Sequence, residues 1–265
     1  MKVIVLCNDK SLEGFENEHG LSILVEIGEE YYLFDTGSSD VAIRNAEKLN
    51  IDLSKITAIV ISHAHYDHIG GLGEFLKKLE NKTRVYIGPN AFLPKFSGER
   101  YAGPPNSKEE YEKLGAEFHE VHEIISLNEN IHILPKAPLV TWERPSKEFN
   151  ILINNKKRSD FFDEELTMLI TNDGSVSVIT GCSHRGIGNI VLNVSKRWKV
   201  ENLIGGLHLR DKGQSDIEKI IDIFKDLKIK RLLVGHCTGD NAIKIFMKNL
   251  EIDVKEIVGG QIFEL

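Results

Sequence analysis

Cysteine is scarce in this 265-residue chain, and the three that occur, Cys7, Cys182 and Cys237, lie far apart in the sequence. So few scattered thiols exclude a disulfide framework and favour a reducing compartment. Long hydrophobic runs are also missing, since none approaches the roughly 18 apolar residues that span a bilayer. The sequence opens on a strand-like run, Met1–Leu6, instead of a secretory signal. We therefore expect a cytoplasmic protein with no membrane partner.

An excess of positive charge is absent as well, because the formal net charge is −7. Nucleic acids and anionic membranes are bound through basic surfaces, so no nucleic-acid partner is expected. Glutamine occurs only at Gln214 and Gln261, while lysine and glutamate are abundant, a bias typical of thermophile proteins. Hydrophobic residues at 41% and charged residues at 28% describe an ordinary globular protein with a substantial core.

The hydrophobic pattern predicts early antiparallel hairpins, followed by alternating strands and helices. Such an order favours sheets covered by helices, which we interpret as a single domain over residues 1–265. Ser215 and Glu218 have the spacing of a capping box at the start of a late helix. Two stretches rich in glycine, proline and charge, near 88–118 and 143–165, are predicted to be long and partly irregular insertions. They would serve either as substrate lids or as solvated surface.

The most informative segment is residues 63–68, which read His-Ala-His-Tyr-Asp-His directly after an apolar run. His63 and His65 can point the same way from an extended backbone, and Asp67 and His68 follow the bend. Neutral imidazole and carboxylate are ligands that zinc and similar ions prefer. The loop therefore predicts a site for two adjacent divalent metals. A histidine-rich surface loop without function is the alternative, which the position after a strand disfavours.

Three later apolar runs also end in a small residue that is followed by a histidine, at His184, His208 and His236. In sheets covered by helices, ligands lie beyond the carboxyl ends of the strands. We therefore expect these three strand exits to converge with the first loop on one cleft. Each histidine alone has a structural interpretation, but together they favour a metal cluster.

The loop 63–68, the upstream Phe34-Asp35-Thr36-Gly37 and the late Val234-Gly235-His236 resemble the metallo-β-lactamase superfamily over essentially the whole chain. This resemblance implies an α+β fold, a four-layer αβ/βα sandwich with one or two metal ions at its edge. It also implies that Asp35 supports the metal-binding loop from behind.

Four further segments are similar to one branch of the superfamily, which contains a methanogen dihydropterin-6-methyl-4-(ribofuranosyl)aminobenzene-5'-phosphate synthase. These segments are Glu18–Ser22, Gly181–His184, Gly205–His208 and Gly235–Gly239. Within them, His19 and His208 are candidates for contacts to substrate or for support of the metal ligands.

The resemblance also implies how the ligands divide between two ions. His63, His65 and His184 would hold the first ion, and Asp67, His68 and His236 the second. Cys182 occupies the position where many members have a bridging aspartate, so it is predicted as a ligand between the ions, with solvent as the alternative. A small buried hydrophobe is the other interpretation of Cys182.

Two departures from the family bear on this ligand set. No Pro-Gly-His motif occurs around residues 140–165, so His184 is expected to replace the usual third histidine. Diiron relatives carry glutamate at the position of His65, so imidazole there favours zinc over manganese or iron.

The sequence therefore predicts a metal-dependent enzyme that acts on a phosphorylated small molecule, with Asp67 as the catalytic base. It would be a transferase similar to the synthase named above, or a related phosphoester hydrolase. Arg185 at a glycine-rich helix start is a candidate phosphate ligand, or else a solvated helix cap. The alternatives are a lactonase- or glyoxalase-like acyl hydrolase and a non-catalytic metal- or ligand-binding sensor. The sequence predicts no oligomeric state.

Overall fold

The computed structural model describes residues 1–265, which form eighteen strands and seven α-helices. The strands are β1 Lys2–Cys7, β2 Ser22–Ile27, β3 Glu30–Phe34, β4 Ile56–Val60, β5 Thr83–Ile87, β6 Lys95–Ser97, β7 Arg100–Tyr101, β8 Ala116–Glu120, β9 Ile125–Ser126, β10 Ile131–Leu134, β11 Phe149–Ile153, β12 Lys156–Ser159, β13 Thr167–Asn172, β14 Ser175–Thr180, β15 Lys199–Gly206, β16 Arg231–Gly235, β17 Asp253–Glu256 and β18 Ile262–Glu264. The helices are α1 Val41–Lys48, α2 Tyr66–Ile69, α3 Leu72–Leu79, α4 Lys108–Lys113, α5 Ile187–Val194, α6 Gln214–Asp226 and α7 Asp240–Asn249.

Two seven-stranded sheets form the centre of the molecule. The first has the order β18-β1-β2-β3-β4-β5-β8, antiparallel from β18 to β3 and parallel from β3 to β8. The second has the order β17-β16-β15-β14-β13-β10-β9, with β14 to β17 parallel and the other pairs antiparallel. In each sheet the parallel strands therefore end at a common edge.

Alternation along the strands produces the layers, because successive side chains of a strand point to opposite faces. Val3 and Val5 of β1 belong to a buried cluster of 21 residues between the two sheets. Ile4 and Leu6 belong to a cluster of 22 residues that also contains side chains of α1, α3 and α4. A third cluster of 24 residues joins the second sheet to α5, α6 and α7. These three cores separate four layers, helix, sheet, sheet and helix, which confirms the predicted sandwich.

The two stretches predicted as irregular insertions contain more regular structure than expected. Strand β6 of the first stretch pairs with β11 of the second, and together with β7 and β12 they form a small four-stranded sheet. The first stretch also contributes α4 and most of β8, which is an edge strand of the first large sheet.

The predicted capping box at the late helix is wrong. Helix α6 begins at Gln214 after Gly213, which has no side chain to cap it, so Ser215 lies inside the first turn. The apolar face of this helix, which includes Ile217 and Phe224, is buried. Among the seven helices, none is both long and apolar enough to cross a bilayer.

Candidate metal centre

The carboxyl ends of four strands deliver the predicted site residues to one place. His63 follows β4, Cys182 and His184 follow β14, His208 follows β15, and His236 follows β16. Strands β14, β15 and β16 are adjacent and parallel, so their exits lie side by side. The loop after β4 of the other sheet faces these exits. The site therefore lies at the edge of the sandwich, where both sheets contribute to it.

Three imidazole nitrogens form the first group of atoms. His63 Nε2 lies 3.2 Å from His65 Nδ1 and 3.2 Å from His184 Nε2. Two nitrogens bound to one tetrahedral zinc at about 2.0–2.1 Å lie roughly 3.3 Å apart, so this spacing suits a shared ion. The distance from His184 to His63 therefore suits His184 as the third imidazole of this group.

A second group lies beside the first and includes a thiol and a carboxylate. Cys182 Sγ lies 3.2 Å from His68 Nε2, and Asp67 Oδ2 lies 3.5 Å from the same nitrogen. Asp67 Oδ2 is also 3.4 Å from His236 Nε2. Cys182 Sγ lies within 4.8 Å of ring nitrogens of His68 and His236, and also within 4.8 Å of ring nitrogens of His63 and His184. Cys182 therefore stands between the two groups.

The protonation of the histidines suits cation binding. Burial holds the pKa of His63 and His184 well below the ordinary value and lowers the pKa of His65 to about 3. These imidazoles are therefore neutral near pH 7, which is the form that ligates metals. His236 Nε2, which lies 3.4 Å from Asp67 Oδ2 in the second group, is buried and has no hydrogen-bond partner. Unpaired buried nitrogen atoms are costly unless they bind something, so the donor set fits a metal ion.

His236 differs from the other histidines. Although burial opposes protonation, the adjacent carboxylates of Asp67 and Asp9 raise the pKa of His236 to about 10. In the chain without a cation, this second group therefore holds a proton that a metal ion would displace.

Asp35 supports the loop 63–68 as the resemblance implied. Its carboxylate is fully buried and accepts hydrogen bonds from Ser62 N, Ser62 Oγ and His68 Nδ1, each 2.7 Å long. Ser62 Oγ also lies 3.0 Å from His63 Nδ1. Both histidines are oriented through their second nitrogen, an arrangement that protein metal sites share.

Asp9 has a comparable role at the other group, and sequence reasoning missed it. Its carboxylate lies 2.7 Å from His236 Nδ1, 3.3 Å from His19 Nδ1 and 3.1 Å from the Arg210 guanidinium. Although burial opposes ionisation, hydrogen bonds to His19 and His236 hold the pKa of Asp9 well below its usual range. His19 Nε2 in turn lies 3.4 Å from Asp67 Oδ2, which places His19 beside the site as predicted. The position of Asp9 two residues after β1 was the available signal.

The loop that carries His184 is held by two residues from the second stretch. Glu165 accepts hydrogen bonds from the backbone N–H of His184, at 2.6 Å, and of Arg185, at 3.1 Å. Burial raises the pKa of the Glu165 carboxyl to about 8. Phe162 stacks on the His184 ring with 3.8 Å between the centroids. No sequence signal pointed to either residue, because their segment has no clear periodicity.

The expectation that Arg185 and its helix start bind a phosphate needs correction. The Arg185 guanidinium donates to Ala137 O at 2.8 Å and to Phe161 O, and lies 3.3 Å from Asp163. The backbone N–H of Gly188 donates to the Glu143 carboxylate at 2.7 Å. The anion at this helix start is thus a side chain of the protein itself. Neither group is left free for a substrate.

A cleft of about 370 Å³ opens directly onto the metal-binding groups. Its lining includes Asp67, Cys182, His184, His208 and His236 from the site. Three cationic side chains from elsewhere also line it, Arg100, Arg210 and Lys212, together with the rings of Tyr66 and Phe149. Glu148 and Asp211 line the cleft as well, and the site is accessible to a small molecule.

Comparisons with known proteins agree with this geometry. The model of the metallo-beta-lactamase superfamily matches residues 17–152. A 7,8-dihydropterin-6-methyl-4-(beta-D-ribofuranosyl)-aminobenzene-5'-phosphate synthase of Methanocaldococcus jannaschii is 31% identical, over 94% of this chain and 91% of that protein.

Solved structures show the same fold. Tm1679, described as a metal-dependent hydrolase of the beta-lactamase superfamily, superposes with a TM-score of 0.91 at 36% identity, over 100% of this chain and 99% of that one. The metallo-beta-lactamase fold protein YhfI from Bacillus subtilis superposes with a TM-score of 0.63 at 17% identity, over 99% of each chain. With the histidine loop, the supporting aspartate and the four-layer sandwich in place, the chain belongs to the metallo-β-lactamase superfamily.

Proposed function

We propose that this protein is a metalloenzyme with two divalent ions that acts on a phosphorylated small molecule. One observation carries the proposal: the cleft beside the histidine cluster is lined by three cations, Arg100, Arg210 and Lys212, and of these only Arg210 forms a salt bridge, to Asp9. Unpaired cations in a cleft attract anionic substrates and bind phosphoryl oxygens directly.

The residues present fit the ions that the superfamily implies. His63, His65 and His184 would hold the first ion, and Asp67, His68 and His236 the second, with Cys182 or solvent between them. Zinc is favoured over manganese or iron, because imidazole and thiolate dominate this set. When bound, such ions stabilise the charge that develops on a phosphoryl group or a departing diphosphate and lower the pKa of water.

The chain's own residues supply binding and orientation. Arg100 lies over the ring of Tyr66, with 5.3 Å between its guanidinium carbon and the ring centroid. This contact fixes one cation at the cleft wall, where it can bind a phosphate. Tyr66 and Phe149 present aromatic surface in the same cleft, which suits a flat heterocycle. Asp67 Oδ2 faces the cleft between His68 and His236, and when only the first ion is bound it is placed to accept a proton from the attacking group.

Two reactions fit this arrangement. The similarity to the synthase from Methanocaldococcus jannaschii favours a transferase. We infer that such a transferase would join a pterin diphosphate to a ribosylated aminobenzene phosphate with release of diphosphate. The similarity to Tm1679, a metal-dependent hydrolase, favours hydrolysis instead, which we infer to be of a phosphoester. Both reactions need the same two features, stabilisation of phosphoryl charge and anion binding at the cleft wall.

The test is a substrate panel assayed on metal-free protein that has been reloaded with zinc, manganese or iron. The panel contains the pterin diphosphate with the aminobenzene phosphate, phosphomonoesters, phosphodiesters and simple lactones. We expect metal-dependent turnover of phosphate-bearing substrates only. The Lys212→Gln and Arg100→Gln variants should raise KM, while Lys196→Gln, which removes an exposed cation outside the cleft, should not.

The product then separates the two reactions. Stoichiometric diphosphate with a condensed product identifies the transferase, whereas release of phosphate or an alcohol alone identifies the hydrolase. Turnover of lactones without any activity on phosphate-bearing substrates would overturn the proposal in favour of an acyl hydrolase. No turnover of any substrate by fully metal-loaded protein would favour a sensor.

A further inference from the structure

A third group of metal-ligating side chains adjoins the centre described above. The two thiols of Cys182 and Cys237 and one ring nitrogen of His208 all lie within 4.8 Å of one another. Cys237 and His208 belong to neither of the two ligand sets assigned to the proposed ions. We call these three residues the thiolate group.

Strand register explains why the three residues meet. Thr180 of β14 pairs with Gly205 of β15, and Gly206 of β15 pairs with Gly235 of β16. Cys182, His208 and Cys237 each follow the last residue of their strand by two positions. Three adjacent parallel strands thus deliver one ligand each beyond the sheet edge, with Cys182 offset by one residue from the level of His208 and Cys237.

Gly206 keeps the space between the two thiols open. A Cβ atom at position 206 would lie 2.7 Å from Cys237 Sγ and 3.4 Å from Cys182 Cα. The first separation is too short for a real contact, so a larger residue would displace the Cys237 sulfur. The middle strand therefore leaves room for two sulfur atoms that converge from either side.

The two thiols are free and close enough to share an ion. Cys182 and Cys237 form no disulfide, and their sulfur atoms lie within 4.8 Å of each other. Two thiolates bound to one tetrahedral zinc at about 2.3 Å lie roughly 3.8 Å apart, so this separation suits two sulfur atoms that bind the same ion.

The polar contacts of the group also leave ligand positions free. Cys237 Sγ accepts a hydrogen bond from His208 N at 3.3 Å and donates to Cys182 O at 3.5 Å. His208 Nδ1 is buried and has no hydrogen-bond partner. His208 and Cys237 are half-buried and line the cleft, so an ion from solvent can reach them.

We propose that Cys182, Cys237 and His208 bind an additional thiophilic divalent ion of the zinc class, through two thiolates and one imidazole. Such a donor set is typical of zinc and matches soft ions better than magnesium or manganese. The proposal rests on the proposed function only in that Cys182 is shared. Solvent, not Cys182, then lies between the two inner ions.

The first experiment titrates metal-free protein with cobalt(II) and follows the thiolate-to-cobalt absorption in the near ultraviolet. Wild-type protein should bind one equivalent more than the Cys237→Ser variant. The variant's thiolate band should fall by at least half, because Cys237 is missing and the ion that it shares with Cys182 is no longer bound. Cys7→Ser is the matched control, since Cys7 is buried beside Glu18 and Gly20 O and away from the histidines. Equal stoichiometry and equal bands in wild type and Cys237→Ser would overturn the proposal.

The second experiment does not use Cys237→Ser and therefore does not depend on how well that variant folds. Alkylation of Cys237 by iodoacetamide is measured by peptide mass spectrometry, with and without zinc. We expect zinc to slow modification of Cys237 at least tenfold in native wild-type protein, and also in His63→Ala, which lacks a ligand of the first inner ion. An unchanged alkylation rate would contradict the additional site.

These outcomes are separate from those of the proposed function. An enzyme that turns over phosphate-bearing substrates while Cys237 remains unprotected by zinc would refute the additional site alone. Protection of Cys237 in a protein without such turnover would refute the proposed function alone.

Discussion

Asp35 shows how much one buried carboxylate can organise. It receives three hydrogen bonds of 2.7 Å, and they fix both the backbone of Ser62 and the ring of His68. Because the carboxylate has no solvent contact, water cannot replace any of these donors. The orientation of His68 toward Cys182 therefore depends on the charge of this side chain, not only on its shape.

We predict that Asp35→Asn weakens metal binding by 10- to 100-fold, as loss of a supporting carboxylate does at other metal sites. The asparagine amide has one oxygen and one NH2 group. At least one of the three groups that now donate to the carboxylate would therefore face the NH2 group, which is itself a donor. Competition with a chromophoric chelator measures the affinity. Asp52→Asn is the control, because the Asp52 carboxylate accepts only from Ser54 at the exposed start of a short helix. Affinity within twofold of wild type would show that the charge is dispensable.

Asp67 is placed differently, at the wall of the cleft. We predict that Asp67→Ala lowers kcat by about 10²- to 10⁴-fold, the usual contribution of a positioned base, with the fold retained. We expect the fold to be retained because the backbone carbonyl of Asp67, which the mutation leaves in place, accepts a hydrogen bond from Leu21 N. Circular dichroism and kcat on the reloaded enzyme are the measurements, and Asp226→Ala is an exposed control. Retained turnover in the metal-loaded variant would remove Asp67 from the mechanism.

At this scale the sequence predicted what is local and missed what is distant. His63, His65, Asp67 and His68 share one six-residue loop, so their spacing alone indicated a metal site. Asp9 supports His236 across 227 positions of the chain, and no spacing rule reports such a contact.

Among the elements, the small four-stranded sheet has the clearest effect on the site. Lys95 of β6 is 1% exposed and lies 3.3 Å from Asp160 and 2.5 Å from Glu164. This buried ion cluster fixes the segment 160–165. That segment carries Phe162, which stacks on His184, and Glu165, which accepts from its backbone. The small sheet thus holds a ligand in place from outside the two large sheets.

We predict that Lys95→Met lowers the free energy of unfolding by about 3–5 kcal/mol, because two carboxylates are left buried without a cation. Urea unfolding of the metal-free protein measures this loss. Lys78→Met is the control, since its exposed pair with Glu47 should contribute less than about 1 kcal/mol. Similar losses in both variants would argue that the cluster does not stabilise the fold.

The large sheets and their helices were largely predictable, whereas the small sheet was not. Strands β14, β15 and β16 were evident as apolar runs that precede a small residue and a histidine. Strands β6 and β7 have three and two residues, too few to show alternation. The pairing of β6 with β11 also joins segments about fifty positions apart, which local patterns do not report. The predicted capping box failed because Ser215 lies two positions after Gly213, the residue that occupies the N-cap.

For the whole molecule, we predict that metal removal lowers Tm by roughly 5–10 °C. An ion present at a concentration of 100 times its Kd stabilises the native state by about 2.7 kcal/mol. The Tm of a chain of this size rises by about 2–4 °C for each kcal/mol. Thermal melts with and without a chelator provide the comparison. His63→Ala should lose most of the shift, while His122→Ala, at an exposed position, should keep it. Identical melting of both forms would exclude a tightly bound ion.

The division of the ligands between the sheets also has a kinetic consequence. One set lies in a loop after β4, and the other follows β14 and β16, more than a hundred residues later. A refolding chain therefore has no complete coordination sphere until the two sheets have packed against each other. Contacts so distant in sequence form slowly, because closure of long loops precedes them. The rate at which a refolding chain captures an ion tightly should thus report the docking of the sheets, late in folding.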